Sequence, residues 1–284
     1  VSFNKFSFFL AGGFDGLNIL DKQSKRMTDK AASFDTGGGA DSTFTSPGLN
    51  SNANGTGKNN NMVKSYMVAN RIMTDVITSG INLLAIPGIR EPFITDDAAQ
   101  RVKDFGLAMY VMDVQGYDEN SNRLYEVSDG RPDVDKTADK FDARGIDNNY
   151  GAAYFPDVQI EDTDTKKRVW VPASIPALAA LAFNDKVSYP WFAPAGYNRA
   201  SLEMVKNTST RLNSADRDRL NDARINQIAP FPRVGYVIFS QLTLQYAKSA
   251  LDRVNVRRLL IEVKRTIIDI AMKIAFEQND FATR

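Results

Sequence analysis

The sequence predicts an α/β fold: a layered domain with a mostly parallel central sheet flanked by helices, plus a smaller β-rich N-terminal part. Three observations carry this reading. Short continuous apolar runs at 81–86 (INLLAI), 107–114 (LAMYVMDV) and 151–155 (GAAYF) have the length and composition of strands covered on both faces. Segments of helical periodicity separate them, and strands alternating with helices build parallel sheets. A glycine-, asparagine- and serine-rich stretch, Asp35 to Asn61, precedes that pattern and has too few large apolar residues to pack a core. The expected division is therefore 1–61, a β-rich segment with a Gly/Asn-rich loop, and 62–284, an α/β core ending in a long amphipathic helix.

In chain order, Phe3 to Leu10 is apolar and aromatic and reads as a strand. It runs into a glycine turn at Gly12-Gly13 and Asp15-Gly16 and a short apolar return, Leu17 to Leu20. Met62 to Thr78 has helical periodicity through Val63, Met67, Ile72 and Val76. Ile81 to Ile86 is a strand stopped by Pro87-Gly88. Thr95 is placed to cap the next helix, with Asp96 and Asp97 at its positive end. Asp129 to Asn149 is charged and mixed. Pro172 to Asn184 reads as an alanine-rich helix, Tyr189 to Tyr197 as an aromatic, proline-broken loop, Ala215 to Arg224 as a charged helix and Gly235 to Ser240 as a strand. Neither an internal repeat nor a coiled-coil register stands out.

The last long segment, Val254 to Asp280, reads as one amphipathic helix. Val256, Leu260, Val263, Ile267, Ile270 and Ile274 recur at alternating spacings of four and three, one face of a helix, and Asn255 is placed to cap it. Arg258, Glu262, Arg265, Asp269 and Lys273 form a ladder of alternating charge on another face. Burying each apolar side chain is worth roughly 1.5–3 kcal/mol, against about 0.2–0.5 kcal/mol for each ladder pair. The expectation is that the apolar stripe anchors the helix in its own core and leaves the charges free.

Composition narrows the function. Hydrophobic residues are 43% and charged residues 24% of the 284, enough for a globular core. With 35 basic against 34 acidic residues, there is no global charge to attract nucleic acid, and no basic tract. The chain has no cysteine, so disulfides, thiolate metal sites and cysteine nucleophiles are excluded. It also has no histidine, which removes the commonest general base and metal ligand. No apolar run has the length of a membrane span, so no membrane insertion is expected. Val1 and Arg284 at the ends are what a protease-resistant core would show, and no signal peptide is read at the start.

Motifs that carry chemistry fail on spacing. Gly12-Gly13-Phe14-Asp15-Gly16 follows a strand but lacks the spaced glycines that open a helix beneath a pyrophosphate. Asp129, Asp133, Asp135, Asp139 and Asp142 lack the central glycine and terminal glutamate of a calcium loop, and read as a solvated helix face or loop. Tyr189, Trp191, Phe192 and Tyr197 have the rings to stack bases but no flanking basic residues; they read as packing against a core or a partner subunit. No catalytic, cofactor or metal residue is assigned. Two classes stay open beside a structural protein: a histidine-free α/β enzyme and a nucleotide-binding module.

Several pieces, in order and spacing, resemble the contractile phage tail sheath protein family. They are FFLAGGFDG at Phe8 to Gly16; LLAIPGI at Leu83 to Ile89, then AMYVMDV at Ala108 to Val114; GAAYFPDVQIED at Gly151 to Asp162, then VPAS at Val171 to Ser174; and YPWFAPAGYNRASL at Tyr189 to Leu202. LNDARINQIAPFPRVGYVIFSQLTL then leads into VNVRRLL and the closing Phe276-Glu277-Gln278-Asn279-Asp280. Ser174, Ile175 and Pro176 depart from the family's Ser-Gly-His-type segment. The family's further C-terminal region and terminal arm, which add strands to a neighbour's sheet, have no counterpart here, so this body is expected to be monomeric or weakly associating.

The resemblance implies a structural subunit of the virion tail, assembled in the host cytoplasm. Its partners would be other sheath subunits in a helical polymer, the tail tube and the baseplate, with no cofactor and no direct contact to nucleic acid. Contraction would drive the tube through a cell envelope. Secretion-type contractile sheaths are the nearest rival. The candidate subunit or tube interface is Arg257, Arg258, Glu262, Arg265, Asp269 and Lys273.

Overall fold

The computed structural model describes residues 61–124, 130–162, 164 and 166–275. The strand read at Phe3 to Leu10, the glycine turns, the Gly/Asn-rich loop up to residue 60, and Phe276 to Asp280 lie outside the described residues.

The centre is a five-stranded sheet of β1 (Leu83–Ala85), β2 (Met109–Asp113), β5 (Gly151–Phe155), β9 (Ile225–Phe231) and β10 (Gly235–Ile238), in that spatial order. The first four run parallel and β10 is antiparallel. Two smaller antiparallel pieces complete the β-structure: the hairpin β3 (Gly116–Tyr117) and β4 (Arg123–Leu124), and a sheet in which β6 (Val158–Glu161) lies between β7 (Arg168–Val171) and β8 (Val205–Thr208). The helices are α1 (Asn61–Met73), α2 (Pro92–Phe105), α3 (Val134–Asp142), α4 (Ser174–Val187), α5 (Ser214–Asp222) and α6 (Val254–Ile274). The expected mixed α/β layering with a mostly parallel sheet is what the chain adopts.

Every residue of β2 and of β5 is buried. Side chains alternate faces along a strand, so this requires cover on both sides, and α2 and α4 both pack against both strands. The continuous apolar composition of these strands follows from that cover. Shorter and less protected, β1 is an edge strand with only Leu84 buried; the expectation of a strand covered on both faces is corrected there, because an apolar run does not show where in a sheet it will sit.

The start of α2 also differs from expectation. Pro92 occupies its first turn, where the missing N–H is not needed, and Glu91 precedes it without a side-chain cap. Thr95 therefore lies inside the helix, buried, with its hydroxyl donating to the Glu91 carbonyl at 3.1 Å. Asp96 and Asp97 pair instead with Arg144 and Arg101. The helix ends at Gly106, at φ 68°, whose N–H donates to the Val102 carbonyl at 2.9 Å. A side chain is strained in that left-handed conformation. Gly106→Ala is expected to destabilise the body by about 1 kcal/mol, read as a lower urea midpoint with an unchanged slope.

Asp133 caps α3, accepting from the Lys136 N–H at 2.8 Å, and Asn213 with Asp216 forms a reciprocal capping box on α5. The acidic group thus resolves into separate local roles. Asp139 pairs with Arg219 of α5, and Asp142 accepts from the Tyr246 hydroxyl at 3.1 Å; Asp129 lies outside the described residues.

No expectation covered β9. Its buried Asn226 and Gln227 hide the pattern, yet both are satisfied. Asn226 donates to the Leu242 carbonyl at 2.8 Å and accepts from its N–H at 2.6 Å, and Ser240 donates to both side chains. Pro230 lies beyond the stretch of β9 that pairs with β5, where a missing N–H interrupts no bond to that neighbour.

Candidate interaction surface

At the head of β2 sits the most deeply placed carboxylate, Asp113, which is 2% exposed. It accepts from the Ser174 N–H at 2.7 Å, the Ser174 hydroxyl at 2.8 Å and the Gly88 N–H at 3.0 Å. A carboxylate at the first amide of α4 supplies the negative charge that a helix N-terminus favours. Burial pushes its carboxyl pKa up, and the nearby Arg90 opposes that shift. All its polar contacts are internal, so it joins sheet to helix rather than offering a reactive group. Ser174, noted as a departure in the sequence, is half of that junction. Among the described residues no cluster of acidic side chains has the geometry to hold a metal, and no helix is long and apolar enough to cross a membrane.

Among the described residues α6 carries more exposed large apolar side chains than any other element, and the orientation of this helix reverses the expectation. Val254, Arg257, Arg258 and Ile261 are its buried residues. Arg258, 6% exposed, makes a bidentate pair with Asp185 of α4 at 2.8 and 2.5 Å. Arg257 lies over the Tyr150 ring at 4.6 Å, and Lys264 donates to the Tyr150 hydroxyl at 2.6 Å. Arg265 caps free ends of the sheet. Its guanidinium donates to the Leu107 carbonyl at 3.1 and 2.9 Å, to Gly80 at 3.4 Å, and to Ile81. Long basic side chains lay their aliphatic stems on the body and find acceptors for their heads.

The apolar stripe faces out. Val256 and Leu260 are half-buried, but Val263, Ile267, Ile270 and Ile274 are 44%, 59%, 56% and 45% exposed. Ile268 and Met272, on the body-facing side, are exposed as well, so the second half of α6 overhangs the body. Asn255 does not cap the helix; Arg253 precedes it without a side-chain cap, and the Asn255 amide donates to the Trp191 carbonyl at 3.5 Å. Among the described residues none of the expected ladder pairs forms; Arg258 and Arg265 are engaged elsewhere. Of the six candidate interface residues, Arg257, Arg258 and Arg265 are turned to the body. Glu262 is half-buried, and Asp269 and Lys273 are exposed on the overhang.

Two other apolar areas are open. On α1, Val63 is buried and Met67 half-buried, but Ile72 is 64% exposed and Val76, just beyond, 62%. Tyr189, Trp191, Phe192 and Tyr197 are all exposed; Tyr189 and Trp191 stack at 4.7 Å, and Arg199 lies 4.8 Å over the Phe192 ring. Contiguous exposed apolar patches larger than a few hundred Å² are uncommon on monomer surfaces.

Sequence comparison gives this surface its context. No family model matches the chain. The tail sheath protein of Vibrio phage KVP40 is 37% identical over 139 residues, 49% of this chain, and that of Enterobacteria phage T4 is 36% identical over 115 residues, 40% of this chain. Over these stretches the chain is similar to contractile phage tail sheath proteins. The matches span 20% and 18% of those sheath proteins. The sheath fold is also seen in solved assemblies. The anti-feeding prophage helical sheath in its contracted state aligns with TM-score 0.53 at 21% identity, over 77% of this chain and 53% of that one. The contracted sheath complex of the PVC extracellular contractile injection system aligns with TM-score 0.53 at 22% identity, over 73% and 52%. A chain of the anti-feeding prophage baseplate aligns with TM-score 0.56 at 20% identity, over 76% and 52%.

Proposed function

We propose that this chain is the folded body of a contractile tail sheath subunit and works mechanically, not as an enzyme. The similarity to the KVP40 and T4 tail sheath proteins carries this reading. In the intact protein, copies would wrap a tail tube in stacked rings on the virion tail, engage the baseplate, and contract to drive the tube through a cell envelope. Residues 62–284 would be the sheath core, with 1–61 as a separate β-rich segment.

A moving sheath needs bodies that stay rigid while their contacts change. The fully buried β2 and β5, the Asp113–Ser174 junction and the arginine clamp beneath α6 favour rigidity. The overhang of α6 supplies a contact surface whose stripe has the narrow geometry with which helices meet one another. Asp269 and Lys273 lie along it, and exposed charges of this kind contribute about 0–1 kcal/mol each, so their partners exchange at modest cost. We assign Asp269, Lys273 and the half-buried Glu262 to contacts with other subunits or the tube, and Arg257, Arg258 and Arg265 to holding the helix that presents them.

The full-length protein carrying this chain is expected to form hollow tubes in negative-stain electron microscopy. Lys273→Glu is expected to reduce tube formation without changing thermal unfolding of the body. Absence of tubes from the unaltered protein under every ionic condition would sink the sheath reading, and normal tubes from Lys273→Glu would remove that residue from the interface.

A further inference from the structure

Away from α6, a cleft of about 550 Å³ opens between the β3–β4 hairpin, the turn from β5 into β6, and the segment after β8. Phe155, 3% exposed, lies beneath its floor, and Trp170, 49% exposed, stands at one side. Three arginines line it. Arg90 is neutralised by Asp157, with bonds of 2.7 and 2.8 Å to both carboxylate oxygens. Arg131 and Arg211 are exposed on the rim, and among the described residues neither has an ion-pair partner. Asn207 also lines the cleft, its side-chain oxygen accepting from the Thr208 N–H at 2.9 Å.

We infer that this cleft binds an acidic peptide segment of a partner protein. Two carboxylates would meet Arg131 and Arg211, and one apolar side chain would rest against Trp170. Charge complementarity selects an anion, because among the described residues both rim charges without an ion-pair partner are guanidinium groups, which match carboxylates in geometry. Size and floor select a peptide over a free ion: the volume is that of a site for a molecule with apolar parts. Nucleic acid fits poorly, since one exposed ring, Trp170, and the two rim arginines make neither a stacking series nor a basic track. This site is separate from α6 and does not depend on the role given to that helix.

Fluorescence anisotropy of the labelled hexapeptide Glu-Glu-Leu-Glu-Phe-Glu against the whole chain at low salt tests this. The Arg131→Glu/Arg211→Glu double variant is expected to weaken binding about tenfold or more, and the matching double lysine variant to retain most of it. A peptide with glutamine in place of each glutamate is expected to bind about tenfold more weakly, and Arg71→Glu, on the exposed end of α1, to have no effect. Circular dichroism melting of each variant reports whether it is folded. Equal affinity of a folded double-Glu variant, or equal binding of the glutamine peptide, overturns the proposal. So does displacement of the peptide by equimolar pyrophosphate, which would make the cleft a phosphate site. Loss of self-association in the double variant without any peptide binding would show that a second copy is the occupant, and also overturns it.

Discussion

Arg258→Ala is expected to destabilise the body by about 2–3 kcal/mol, read by urea unfolding. The guanidinium is nearly fully enclosed and holds both Asp185 oxygens, so its removal leaves a carboxylate facing a hole. Breaking a fully buried pair typically costs about 3–5 kcal/mol. The Asp185 side chain is 33% exposed, so water replaces part of the lost interaction and the figure is discounted. A double-mutant cycle with Asp185→Ala separates the pair from the packing of the arginine stem. The pair should account for most of the loss, because the stem lies beside Val254 and Ile261, which remain buried. A change under about 0.5 kcal/mol for Arg258→Ala would show that α6 is held by its apolar contacts alone, and the arginine clamp would not be its anchor. If the clamp holds, tube formation by the full-length protein should fail in the same variant for a reason distinct from Lys273→Glu: the helix would be misplaced, not merely recharged.

How much of this was legible in the sequence depended on whether neighbours in the chain or neighbours in space decide the outcome. Strands β2 and β5 were read correctly because burial on both faces forces a continuous apolar run. The alanine-rich α4 and the charged α5 followed from their own composition. By contrast, β9 escaped notice because its partners for Asn226 lie at Ser240 and Leu242, which only folding brings near. The start of α2 was misplaced because Thr95 has a capping side chain, while Pro92 three residues earlier settles the first turn through its backbone.

The error on α6 is of another kind. Periodicity identified the apolar stripe correctly, since its members do share a face. It could not say which face the body covers. The usual inference puts the apolar face inside, and here Asp185, Tyr150 and the carbonyls of Gly80, Ile81 and Leu107 draw the basic face inward instead. A hint was present: Val254, Arg257, Arg258, Ile261, Lys264 and Arg265 also recur at three and four. Long basic stems at those positions can line an interface as apolar side chains do.

That reversal leads to the second large effect. The double variant Ile267→Asp/Ile270→Asp is expected to leave the stability of the body within about 0.5 kcal/mol and to abolish tube formation by the full-length protein. Both side chains are more than half exposed, at 59% and 56%, so substituting them removes little buried surface. A stripe anchored inside the protein would behave in the opposite way: each buried isoleucine replaced by a charge would cost several kcal/mol, and the body would unfold. If the stripe instead meets another molecule, the same two charges enter a desolvated contact with no partner, and association is lost by the same physics. Unfolding measurements on the chain and electron microscopy of the full-length protein therefore give separable answers. An unstable body would mean that the stripe is covered from within the chain. A stable body with normal tubes would mean that the overhang is solvent-facing in the assembled sheath, and the contact surface would then have to be sought at the exposed aromatic loop from Tyr189 to Tyr197.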